Sequence, residues 1–366
     1  VGDPIRVLHA VVNMNRGGAE TLLMNLYRNI DREKVQFDFL TCKEGDFDRE
    51  ITEMGGIIHR IPYVTKKGHF GYVKALNHFF STHKEYVIVH SHMDKMSGIV
   101  LREAQKNNIP IRIAHSHNTS SEGGTAARLY KWYAGRTVLS SATHLLACSH
   151  AAANWLFKGK VDQAVILKNG IEADKYRFCS KARQRIRKEL GLTDQRIIGH
   201  VGRFNHQKNH TFLIDIFAKL HQSMPETRLV LAGDGPLKPK IEQKVKNLNL
   251  EKKVIFTGVR SDIHHLLQAF DLFLFPSLHE GLPVTLIEAQ GAGLPCVISD
   301  EITKEADMGM GLMSYVPLGS TERWIEEIKK AVNLPKEREG ANRFLTEKGY
   351  DIKTSAAWTQ GFYTAI

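Results

Sequence analysis

A chain of 366 residues is longer than one ordinary hydrophobic core supports, and it suits two α/β domains. With 42% hydrophobic and 24% charged residues and no low-complexity tract, it is neither disordered nor fibrous. No run approaches the ~18 apolar residues of a membrane-spanning helix, and the formal charge of +11 is spread over both halves without a basic arm or nucleic-acid motif.

The N-terminal "VGDPIRVLHA" enters a strand directly, without the pattern of a secretory leader. Short β-branched runs then alternate with longer amphipathic stretches, the pattern of βα units and parallel sheets. Strands are expected at 6–12, 35–42, 56–62, 86–92, 111–117, 144–149 and 164–169, and again at 196–203, 227–235, 253–259, 272–277 and 294–299. The polar stretch 170–195 between the two sets carries little strand signal. It places a boundary near residue 171, giving domains 1–171 and 172–346 and a closing helical segment 347–366 around Trp358 and Phe362. The expected fold class is α/β, with two doubly wound Rossmann-like domains facing across a cleft. Four cysteines, Cys42, Cys148, Cys179 and Cys296, stand far apart with no CxxC pair, as expected of reduced thiols in a cytosolic protein.

The first candidate site residues are Gly17 and Gly18, where the first strand turns into a helix with apolar positions Leu22, Leu23, Leu26 and Tyr27. Glycine there lets backbone approach a phosphate or sugar, or simply serves a tight turn. The dinucleotide pattern GxGxxG is absent, and "AGDGPL" at 232–237 lacks its third glycine, so a nicotinamide cofactor is not indicated. Two stretches, "KKGHFGYVKALNHFF" (66–80) and "TAARLYKWYAGR" (125–136), mix cations with aromatic residues. Such runs either lie on an anionic membrane or pack an apolar helix face on the core. Among eighteen histidines, "VIVHSHMD" (87–94) and "RIAHSHNT" (111–118) are near-copies. Without carboxylate or cysteine partners at ligand spacing, no metal is expected there.

In the second half, "GHVGRFNHQKNH" (199–210) sets Arg203 and Lys208 just past a strand end. A planar donor fork beside a point charge suits a diphosphate, and it would stabilise charge building on a leaving nucleotide diphosphate. "PSLHEGLPVTLIEAQGAGLPCVIS" (276–299) then places Glu280 in a loop and Glu288 on the second turn of a helix opened by Pro283. Both carboxylates would face the space at that helix's N-terminus, where backbone N–H groups point outward.

Together, the GR-x4-K element, the Glu-x7-Glu element and the "RGGAE" loop resemble the retaining, nucleotide-sugar-dependent glycosyltransferases of the GT-B fold. The group resembled is family four, which includes many enzymes of bacterial capsule and exopolysaccharide assembly. "VIVHSH", "LLACS", "ILKNGIEADKY", "LAGDGP" and "VIFTGV" extend the resemblance over nearly the whole chain. It implies that the C-terminal helix crosses back to the first domain and that transfer needs no cofactor or metal. It further implies that Arg203 and Lys208 hold the donor's diphosphate, Glu288 the ribose hydroxyls, and Glu280 the hydroxyls of the transferred sugar. Gly281, Leu282 and Pro283 lie beside that sugar, Gly17 and Gly18 line the donor from the first domain, and Gly258 passes close to the base.

A histidine after the fifth strand meets the transferred sugar in this family. His115 and His117 compete for that place, and His117, preceding Asn118, is favoured. With no clear carboxylate nucleophile, the resemblance implies front-face displacement with retention. The donor is a nucleotide diphosphate sugar, UDP by default with GDP and ADP open. The acceptor is a glycan or a lipid-linked sugar, and the expected place is the cytoplasm, with peripheral contact at the inner face of the membrane. A glycoside hydrolase would need no basic clamp. A sugar-nucleotide epimerase would add acid/base residues, and a non-catalytic nucleotide-sugar-binding protein would release no diphosphate.

Overall fold

The computed structural model describes residues 2–121, 123–333 and 338–366. The chain divides into two compact units, Val1–Ile171 with Gly349–Ile366, and Glu172–Lys348.

In the first unit, strands β1 (Ile5–Ala10), β2 (Val35–Thr41), β3 (Ile58–Arg60), β4 (Ile88–Ser91), β5 (Ile111–Ser116), β6 (His144–Ala147) and β7 (Ala164–Ile166) form one sheet. Its order is β3-β2-β1-β4-β5-β6-β7, and every pairing is parallel. Parallel neighbours must be joined by crossovers, and helices on both faces bury the strands. That is why β2, "VQFDFLT", is buried at every position despite three polar residues. Its Asp38 is tolerated because Arg6 donates to both carboxylate oxygens at 2.6 Å, while Tyr86 Oη and the Ile57 N–H donate at 2.9 and 2.7 Å.

The core around Val7, Phe37, Phe39, Leu23 and Tyr27 is completed by Ile352, Ala356 and Tyr363 of the last helix, Ile352–Ala365. Asp351 caps that helix through the Thr354 N–H at 3.2 Å, and the helix lies beside Gly18–Asn29.

In the second unit, β8 (Arg196–Val201), β9 (Thr227–Ala232), β10 (Val254–Gly258), β11 (Leu272–Phe275), β12 (Cys296–Ser299) and β13 (Met313–Val316) are ordered β10-β9-β8-β11-β12-β13, again all parallel. Strand β13 escapes sequence reading because it is a four-residue edge strand entered through Gly309 and Gly311, both with positive φ. Phe217, Leu229, Leu272 and Trp324 anchor the core.

At the sheet's amino end, buried Asp271 accepts from Arg183, Arg187 and the Ile197 N–H. Buried Arg338 donates to the carbonyls of Leu267, Gln268, Phe270 and Ala292, and burial pulls its pKa down to about 9. Among the described residues no cysteine is in a disulfide, and no helix is long and apolar enough to cross a membrane.

Gly199, inside β8, has no room for a side chain: a Cβ there would lie 1.9 Å from the Phe270 ring. That ring is fully buried, so it cannot swing away. Gly199→Ala is expected to destabilise the second unit by about 3 kcal/mol, the cost of overpacking a rigid core. The measurement is the midpoint of that unit's transition in urea.

Candidate functional site

Strands β8 and β11 are adjacent but send their crossovers to opposite sides, so the loops at their carboxyl ends part and leave a crevice. Two bonds tie the loop after β8 to the loop after β11: Leu278 N–H to the Gln207 carbonyl, and Gln207 Nε2 to the His279 carbonyl, both 2.8 Å. The Lys208 N–H donates to Asn205 Oδ1 at 3.1 Å. In this frame Lys208 Nζ reaches Glu280 Oε1 at 2.6 Å and stands 4.6 Å above the Phe275 ring.

Both side chains are largely withdrawn from water, so each charge depends on the other. Arg203, five residues before Lys208, is exposed, and its side chain makes no ion pair among the described residues. Gly281, Leu282 and Pro283 follow Glu280 and are buried. Gly258 closes β10 with φ 70°. The loops after β8 and β9 meet backbone to backbone, since a Cβ on Gly233 would lie 2.2 Å from the Gly202 carbonyl oxygen.

The helix expected to open at Pro283 begins one residue later. Pro283 is the extended residue ahead of Val284–Gly291, with ψ 110°. Glu288 does lie on its second turn, but it faces Tyr176, whose hydroxyl donates to Oε1 at 2.5 Å. Burial raises the Glu288 pKa to about 7, against the lowering effect of that bond.

Sequence reasoning passed over Tyr176 because it treated 170–195 as a polar connector. That segment in fact holds a short 3-10 turn, Ala173–Tyr176, lying against the Glu288 helix, and then a helix, Ser180–Glu189. His200 was also missed. Its Nδ1–H donates to the Leu274 carbonyl at 2.8 Å, and burial holds its pKa to about 3, so Nε2 keeps a lone pair. That nitrogen has no partner among the described residues, and a Cβ on Gly202 would meet both it and Lys208. Thr285 Oγ1, in the first turn of the Glu288 helix, is likewise buried without a partner.

In the first unit, Gly17 caps Gly18–Asn29, and a Cβ there would strike its own Glu20 carboxylate at 2.2 Å; Gly18 borders open space. The two near-copied His-x-His runs converge with His9 of β1. His9 stands opposite His90 in the β1–β4 register. His9 Nδ1 meets His92 Nε2 at 3.0 Å, and His92 Nδ1 meets His117 Nε2 at 2.9 Å. In parallel, Tyr363 Oη meets His90 Nδ1 at 2.6 Å, and His90 Nε2 meets His115 Nδ1 at 3.2 Å.

Burial keeps all five rings neutral, with His9 and His117 lowered to about 3 and the others well below their ordinary value. His115 lies inside β5, whereas His117 is past its end and partly exposed, its backbone N–H donating to Asp94 Oδ1 at 3.0 Å.

The family models divide as the chain does. "Glycosyltransferase Family 4" matches residues 16–175, and "Glycosyl transferases group 1" matches 182–344. The putative glycosyltransferase EpsF of Bacillus subtilis is 39% identical over 359 residues, 95% of this chain and 93% of that one. The chain belongs to the family four glycosyltransferases.

An Escherichia coli UDP-Gal:alpha-D-GlcNAc-diphosphoundecaprenol alpha-1,3-galactosyltransferase is 26% identical to this glycosyltransferase, across 81% of this chain and 79% of its own. Anabaena Alr3699/HepE in complex with UDP-glucose has 20% identity and a TM-score of 0.80, covering 99% of this chain and all of that one. The fold is GT-B.

Glu288 makes the second unit's stability depend on pH. Between the unfolded glutamate value and about 7, the folded unit holds a proton that the unfolded one has released. This stabilisation is complete below the unfolded value and is lost as pH rises through 7. Glu288→Gln is expected to flatten the decline between pH 5 and 8 by about 2–3 kcal/mol relative to the parent, read from urea unfolding at each pH.

Proposed function

We propose that this glycosyltransferase moves a sugar, with retention of anomeric configuration, from a UDP-sugar to a lipid-linked glycan of a bacterial surface polysaccharide. The observation that carries the reading is the withdrawn Lys208–Glu280 pair beside an exposed Arg203, all at the switch point of the second sheet. Arg203 and Lys208 take the diphosphate, Glu280 the hydroxyls of the transferred sugar, and Glu288 the ribose. Backbone N–H groups of Gly281 and Leu282 and the open Thr285 hydroxyl complete the donor contacts, with Gly258 beside the base. From the first unit, Gly17 and Gly18 line the donor and His117 meets the sugar.

Charge on the leaving diphosphate grows as the sugar–oxygen bond breaks. Arg203 and Lys208 are placed to stabilise that charge more in the transition state than in the ground state. The leaving oxygen takes the acceptor's proton on the same face, so no carboxylate nucleophile is required. The likeness to relatives whose names specify UDP donors and a diphosphoundecaprenol acceptor supports UDP and a lipid-linked acceptor.

A second observation favours work at a membrane surface. Helix Thr125–Gly135 buries only Ala134, while Leu129, Trp132 and Tyr133, spaced three and four apart on one face, are 64%, 55% and 45% exposed. His69 bonds Tyr130 at 2.8 Å and so brings up Phe70, which is 86% exposed. Lys66, Lys67, Lys74, Arg128 and Arg136 are exposed in the same two stretches, and neither helix contains an acidic residue. Apolar side chains ringed by cations match the headgroup region of an anionic bilayer.

Melting against UDP, GDP, ADP and their sugar conjugates tests the donor. A hundredfold excess over the dissociation constant stabilises by about 2.7 kcal/mol. The expected outcome is a shift with UDP and UDP-sugars that is lost in Arg203→Ala. Lys208→Ala should lower kcat by at least about 100-fold, the scale for losing one charge-stabilising donor. No shift with any nucleotide would sink the donor assignment.

Vesicle co-sedimentation tests the surface. Lys66→Ser/Lys67→Ser should weaken binding to phosphatidylglycerol vesicles about 30-fold, at ~1 kcal/mol per cation. Equal binding to neutral phosphatidylcholine vesicles would overturn the electrostatic part.

A further inference from the structure

The five clustered histidines of the first unit are more than packing. Three neutral rings in the chain His9–His92–His117 carry three protons between them for only two hydrogen bonds. One terminal nitrogen must therefore hold an unpaired proton and the other an unpaired lone pair, and both His9 Nε2 and His117 Nδ1 are buried without a partner. In the second chain, His115 Nε2 is also buried and unpartnered. Each such group is costly if nothing fills it.

We propose that His92, His115 and His117 form a binding site for one divalent transition-metal ion of the zinc class. One ring nitrogen of each lies within 4.8 Å of the other two. All-imidazole ligation selects Zn²⁺, Co²⁺, Ni²⁺ or Cu²⁺ over Mg²⁺ and Ca²⁺, which take oxygen ligands.

The hydrogen bonds already fix the tautomers a metal needs. If His115 offers its unpartnered Nε2, its proton sits on Nδ1 and faces His90 Nε2, and His90 passes the chain on to the Tyr363 hydroxyl. If His92 offers Nδ1, its Nε2–H faces His9. An outer partner for the second ring nitrogen is the arrangement that orients metal-bound histidines. The metal replaces the proton shared by His92 Nδ1 and His117 Nε2, and that proton moves to the unpartnered His117 Nδ1, so none need leave the protein.

A second triad, His9, His90 and His92, is equally tight. It is the poorer site, because all three of its rings are buried. In the outer triad, partly exposed His117 provides the way in. The Asp94 carboxylate accepts the His117 backbone N–H and so holds the chain that carries this ring.

The test is titration of the chelator-stripped full chain with Co²⁺, read by visible d–d absorption, followed by displacement with Zn²⁺. Expected are one ion per chain, the intense bands of four- or five-coordinate cobalt, and loss of at least about tenfold in affinity in His117→Ala and His92→Asn. His78→Ala, which removes an exposed histidine elsewhere in this unit, should change nothing. Should a buried variant fail to fold, X-ray absorption of the zinc-loaded parent decides, with three imidazole nitrogens expected at about 2.0–2.1 Å. Weak octahedral cobalt bands, fewer than three imidazoles, or binding that survives His117→Ala would each overturn the proposal.

Discussion

Parallel sheets covered on both faces leave only one place for chemistry. A side chain in the middle of β2 meets a helix above or below it, so a charged group there needs partners, as Asp38 has in Arg6, Tyr86 and the Ile57 N–H. Functional side chains are pushed to the carboxyl ends of strands, where the loops separate. In the second unit that rule gathers Arg203, Lys208 and Glu280 on the loops flanking one switch point. In the first unit it sets His92 and His117 just past β4 and β5, beside the switch point between β1 and β4.

The same dry surroundings govern how charge is held. Lys208 and Glu280 form an ion pair, whereas Glu288, bonded to a phenol, is pushed toward neutrality near pH 7. Two carboxylates eight residues apart thus behave differently. One belongs to a charged pair poised for exchange with a charged ligand, and the other titrates within reach of neutral pH.

The fold was legible because its signals are local. Buried parallel strands read as β-branched runs, and of the thirteen among the described residues twelve stand where sequence places them; β13 is too short and too glycine-flanked to register. The donor residues were legible because Arg203, Lys208, Glu280 and Glu288 lie within short spaced elements. What sequence could not give was distant convergence. Tyr176 meets Glu288 from 112 residues away, and His9 meets His92 from 83. The His-x-His runs were visible as copies, but the third strand that joins them was not. Nor does composition tell that the apolar face of Thr125–Gly135 points outward, since an inward-facing helix would show the same spacing.

The last helix belongs to the first unit, yet the whole second unit is threaded between them in the chain. During synthesis, the groove that will receive Ile352, Ala356 and Tyr363 stands open while residues 172–348 are being made, which takes on the order of ten seconds or more. His90 lacks its Tyr363 partner for all of that time. The first unit to emerge from the ribosome is thus the last to be finished, and its final packing waits on the second.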